Sequence, residues 1–146
     1  MPKTIDQATY EVSEESLKGM PLQLHQLPEN LSGFTLLRES TLSNKTMATH
    51  GFPGKSEEDY HNIGRITGYL REFASASAIP QKKDGGDIVA ATVVHLFKDE
   101  KSTKNWMEEI FIKQFLDNIG HEVGENQKLV AVEKLEIDDF YSRSVG

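Results

Sequence analysis

The chain has 146 residues, 37% hydrophobic and 27% charged, enough to close one ordinary globular core. A formal charge of −7 argues against gripping nucleic acid or an anionic membrane, which takes clustered Lys and Arg; the nearest run, Gln81-Lys82-Lys83, leads straight into Asp84. With no cysteine, disulfides, thiolate catalysis and cysteine-ligated metals are excluded. No stretch reaches the roughly 18 apolar residues of a spanning helix. Met1-Pro2-Lys3-Thr4-Ile5-Asp6 lacks the apolar core of an export signal. The compartment stays open: the sequence reads as soluble and cytoplasmic, or as extracytoplasmic if a signal has been removed.

Residues 1–30 read as a polar, acidic arm, laid across the domain or partly disordered, with one helical turn near Ser13–Lys18. Pro21 and Pro28 forbid anything longer. A single domain is expected over 31–146. Gly33–Ser43 is its first strand, and Thr46–Gly54 a turn-rich link containing two glycines and a proline. Ser56 caps a short helix with Glu57, Glu58 and Asp59 in its first turn, ending at Ile63 before a C′ Gly64.

Arg65–Ala74 is ambiguous between strand and helix. Gly64 and Gly68 would each cost ~1 kcal/mol inside a helix, which favours the strand. Ser75–Gly86 reads as a loop. Asp87–Phe97, β-branched and apolar on both faces, reads as a central strand antiparallel to Arg65–Ala74. Ser102–Ile119 is the clearest helix, with Trp106, Met107, Ile110, Phe111, Phe115 and Ile119 three and four residues apart. Leu129–Ile137 is a last strand. The chain stops soon after Phe140-Tyr141, so the natural protein is expected to continue, or this end to lie at a sheet edge.

Two runs, Gly64-Arg65-Ile66-Thr67-Gly68-Tyr69-Leu70-Arg71-Glu72-Phe73 and Ala91-Thr92-Val93-Val94-His95-Leu96-Phe97, precede a helix bearing Trp106. Together they resemble uncharacterised bacterial surface or lipoprotein-type domains with a PsbP-like α+β fold. The resemblance spans roughly 30–140 and implies a domain of a kind that usually has no known enzymatic activity. It transfers no functional residue. A lipobox cysteine and an export signal are both missing here.

Four residues stand out as ligand candidates. On a strand, Arg65, Tyr69 and Arg71 share one face with Phe73, and two guanidiniums around an aromatic ring suit an anionic or aromatic ligand. The competing reading, a covered sheet face with arginines paired to acids, carries more weight. His95, between Val93 and Phe97, is a fourth candidate as base or ligand-orienting group; a satisfied, part-buried imidazole is the commoner case.

The five histidines form no close pair and no HExxH motif, so no metal site is expected. Gly51-x-x-Gly54-Lys55-Ser56 is too tightly spaced for a phosphate loop. Adjacent acids such as Asp138-Asp139 and Glu108-Glu109 point apart and make poor dyads. No serine nucleophile motif and no cofactor box emerge, and Trp106, Phe111 and Phe115 are core by default.

The expected fold is therefore α+β in two layers: a mainly antiparallel sheet of four or more strands against one long amphipathic helix. The expected function is a non-enzymatic binding or interaction module, surface-associated if exported, for an unknown protein or a small anionic or aromatic ligand. One alternative is a small-molecule binder or modest enzyme using His95 and Arg71. Another is an assembly component, a homo-oligomer joined at a sheet edge.

Overall fold

The computed structural model describes residues 12–75, 89–123 and 128–133. Its centre is an open antiparallel sheet of three strands in the order β1 (Phe34–Thr41), β2 (Arg65–Ser75) and β3 (Val89–Phe97). Arg65–Ala74 is thus strand, the side of the ambiguity that the two glycines favoured. The chain is α+β, but a fourth strand does not form among the described residues. Leu129–Glu133 is not strand; Leu129 makes backbone bonds with Gly120 and His121, beside an isolated Glu122–Lys128 bridge. The rest of the predicted Leu129–Ile137 strand, most of the Ser75–Gly86 loop, and Asp87 with Ile88 lie outside the described residues.

The middle strand is β2, not the Asp87–Phe97 run expected there. Apolar residues on both faces suggested a strand flanked by neighbours. In fact Val89, Ala91 and Val93 stay exposed on one face of β3, and only its end toward Phe97 is buried. β2 carries the buried residues instead, including Tyr69, Leu70, Phe73 and Ala74.

Local chemistry sets the helices. Ser13 caps α1 (Glu14–Gly19) by accepting from the Ser16 amide. Ser56 and Asp59 form a capping box at α3 (Glu57–Asn62), and Asp59, bonded to the Ser56 amide, has its carboxyl held below the ordinary range. The predicted Thr46–Gly54 link is instead mostly helix, α2 (Asn44–His50), capped by Ser43. Four of its seven residues, Asn44, Thr46, Thr49 and His50, are weak helix formers, and the Ser43 cap with packing against β2 and α3 offsets them.

The predicted Ser102–Ile119 helix is replaced by three successive segments. α4 (Glu100–Asn105) starts at an Asp99 cap, a π-helical turn spans Trp106–Phe111, and α5 (Ile112–Asp117) comes after it. A π turn inserts one residue into the helical register and rotates the next turn about the axis. Here it brings Phe111 onto the Trp106 ring, 4.6 Å between centroids, and Phe115 onto Phe111 at 4.8 Å.

The sheet is covered on both faces by different material. Trp106 stacks on His95 and Phe97 from the helical side. On the opposite face lies the arm, through Leu17 and Pro21, both buried. The arm therefore completes the core, where two layers were expected.

Candidate functional site

Arg65 opens β2 directly after Gly64, whose φ of +87° suits only glycine comfortably. The pairing of β2 with β3 shifts between Arg65 and Thr67. Such a bulge re-aims a side chain. It sends the Arg65 guanidinium over Gly68, where an added Cβ would lie 2.6 Å from Nη2 and 2.5 Å from the Val94 carbonyl oxygen. Gly68 is therefore the gap through which this arginine passes.

Arg65 is 1% exposed. Its Nη1 donates to Asn44 Oδ1 at 2.7 Å, Nη2 to the Leu42 carbonyl at 2.8 Å, and Nε to His95 Nδ1 at 3.2 Å. Asn44 returns a bond to the Arg65 carbonyl at 2.9 Å. Every acceptor is neutral, and no carboxylate is among these partners. Burial pulls the guanidinium down to about 10, which leaves it protonated at neutral pH.

A permanent donor aimed at His95 Nδ1 makes that nitrogen the acceptor. The imidazole proton is therefore assigned to Nε2. Burial, then the Arg65 charge, push His95 down to about 4. Trp106 lies against the ring, 4.8 Å between centroids. A base that weak takes up little proton from a substrate at neutral pH, and its Nδ1 is already engaged.

Two polar atoms beside this cluster are buried without a hydrogen-bond partner among the described residues, the Tyr60 hydroxyl and Trp106 Nε1. Gln114 faces the Tyr60 hydroxyl without reaching good bonding geometry, and burial raises the phenol above its ordinary value.

The register Gly68–His95, Tyr69–Val94, Leu70–Val93, Arg71–Thr92 fixes the two faces. His95 shares its face with Gly68 and Leu70; Arg71 shares the other with Tyr69 and Phe73. Arg65 crosses to the His95 side, so the predicted four-residue platform does not assemble on one face. His95 and Arg71 are likewise separated by the sheet.

Arg71 holds the arm. It donates to the carbonyls of Lys18, Pro21 and Leu22 at 3.0, 3.0 and 3.1 Å, and through Nε to Glu39 at 2.9 Å. The Leu22 amide reaches Thr92 Oγ1 at 3.3 Å on the same face. The Arg71 guanidinium also lies 5.6 Å from the Tyr69 ring centroid. Burial and the Glu39 carboxylate push the Tyr69 phenol up.

Sequence reasoning missed Asn44, Leu42 and Trp106 as partners of this cluster. No local pattern marks them; Asn44 could have been found only by recognising Ser43 as a helix cap. No group of three or more metal-ligating side chains comes together among the described residues. No helix there is long and apolar enough to cross a membrane. A shallow hollow along α4, lined by Glu100, Lys101, Lys104 and Glu108, has mixed charge and includes an exposed Glu100–Lys104 pair.

The buried imidazole gives a pH signature. Its folded pKa, about 4, lies below the 6.5 of an unfolded histidine. The unfolded chain therefore takes up the proton first as pH falls. This group's contribution is complete above about pH 6.5 and is lost progressively toward about pH 4, approaching roughly 3 kcal/mol. Urea unfolding of wild type and His95→Gln at a series of pH values isolates that part from the carboxylates. The wild type should lose more stability than the variant across this window; parallel curves would refute the assignment.

No protein family, no curated protein and no solved structure matches this chain.

Proposed function

We propose that this protein is a non-enzymatic interaction module that engages a polypeptide partner through the outer strands of its sheet. The carrying observation is the apolar surface on those strands. Leu36 and Leu37 on β1 are 47% and 43% exposed, and Val89 and Val93 on β3 are each 43% exposed. Exposed apolar residues grouped on a strand mark a docking surface more than scattered ones do.

The groups that would otherwise suit chemistry are already engaged. Arg65 ties Leu42, Asn44 and His95 together, and Arg71 ties the arm to the sheet. A pocket built from His95 and Arg71 together is disfavoured, because the sheet stands between them. The PsbP-like resemblance of the β2 and β3 segments, to domains that usually have no known enzymatic activity, belongs to the same proposal.

Panning a random peptide display library on the wild-type protein tests this reading. Extended peptides with alternating β-branched residues should enrich tenfold or more over a Leu37→Asp/Val93→Asp control surface. Equal recovery on both surfaces would overturn it. So would a substrate screen that finds turnover abolished by His95→Gln.

A further inference from the structure

The two outer strands differ in how they are protected. An outer strand offers unpaired backbone groups to any other strand, and charges, proline or a bulge normally blunt that tendency. β1 has such devices. Its register shifts between Leu36 and Arg38, Arg38 pairs with Glu72, and Glu39 pairs with Arg71.

β3 has none of them. Val89–Phe97 reads Val-Ala-Ala-Thr-Val-Val-His-Leu-Phe, without Asp, Glu, Lys, Arg or Pro. Its pairing with β2 is continuous from Thr67–Leu96 to Ala74–Val89. Among the described residues, its backbone bonds run to β2, and none reaches the outer side of this run. Its exposure alternates, with Val89, Ala91 and Val93 open on one face; the row closes at His95, where Trp106 covers the sheet.

We infer that β3 is a self-association edge, pairing antiparallel with β3 of a second copy of this chain about a two-fold axis. The inference rests on the interaction-module reading and names its partner. Charge decides for a second copy. Two copies of one strand bring the same set of charges to the pair, and like charges facing each other across it repel. β3 carries no charge, so it meets itself without that penalty.

Two-fold symmetry also keeps like faces together. A register centred on Ala91 sets Val89 opposite Val93 of the second copy, and Ala91 opposite Ala91. The exposed row then becomes one apolar strip across a six-stranded sheet. Both copies carry −7, so their only general opposition is long-range repulsion, which salt screens.

Sedimentation velocity on the full chain across the micromolar range is the test. Wild type should dimerise with rising concentration, more tightly as salt is added. Val93→Lys and Ala91→Lys should each weaken dimerisation at least tenfold while melting as wild type does; using two exposed positions guards against one misfolded variant. Mixing Ala91→Lys with Ala91→Glu, which face each other in this register, should restore a dimer. Leu37→Lys on β1 should leave it intact.

A wild type that sediments as a monomer throughout would overturn the inference. So would a dimer indifferent to both β3 lysines, or one abolished by Leu37→Lys. Monomeric protein that still enriches extended peptides would remove self-pairing alone. Loss of that enrichment as well would remove the interaction-module reading too.

Discussion

Trp106→Ala is expected to lose about 3–5 kcal/mol of folding stability, the range for truncating a fully buried large aromatic. The indole is 2% exposed. It stacks on three rings at once: His95 at 4.8 Å, Phe97 at 5.4 Å and Phe111 at 4.6 Å between centroids. Two of these belong to β3 and one to the π turn, so removing the indole opens a void where helix meets sheet. Trp106→Phe should be much milder. It keeps most of the packing and deletes Nε1, a buried donor without a partner among the described residues. Urea midpoints at an unchanged slope report both values. If Trp106→Ala unfolds at the wild-type midpoint, the helix–sheet contact is misassigned.

Arg65→Met comes next, at about 3–5 kcal/mol, because one substitution strands three part-buried acceptors. The Leu42 carbonyl, Asn44 Oδ1 and His95 Nδ1 all lose their donor. Asn44 belongs to α2 and Leu42 lies between β1 and α2, so the loss unpins that end of β1 and the start of α2. Arg65→Lys should recover little, since one ammonium cannot reproduce three bonds in a planar fork. His95 offers an independent readout. With the neighbouring cation gone, its pKa should move upward from about 4 toward the ordinary 6.5. An NMR titration of His95 that does not change in Arg65→Met would show that the two groups do not meet as described.

Both experiments address a centre that the chain announced only in part. Trp106 was readable as core from the apolar stripe it starts, with Ile110 four residues on. That it would rest on His95 was not, because the contact joins segments without a shared local pattern. Arg65 and Arg71 read as twins on one strand face. Alternation holds from Gly68 onward, but the bulge between Arg65 and Thr67 breaks it and sends one guanidinium to each side. A bulge reflects the strand's neighbours as much as its own residues.

The helices divide the same way. Ser56 with its trailing acids marked α3, because capping acts within four residues, and a helical turn was readable near Ser13–Lys18, where α1 forms. α2 escaped notice, since its cap, Ser43, sits at the end of a strand pattern and four of its seven residues are weak helix formers.

By itself, then, the order of residues determined what is set over short distances: where backbone turns, where a helix can begin, which segments are extended, and that the protein is α+β. Only the tertiary structure decided which strand lies in the middle, that the arm closes one face, and that the two arginines part company. Those outcomes depend on hydrogen bonds between residues far apart in the chain, Arg71 to Lys18 and Arg65 to Leu42 among them, and no local preference specifies a partner at that separation.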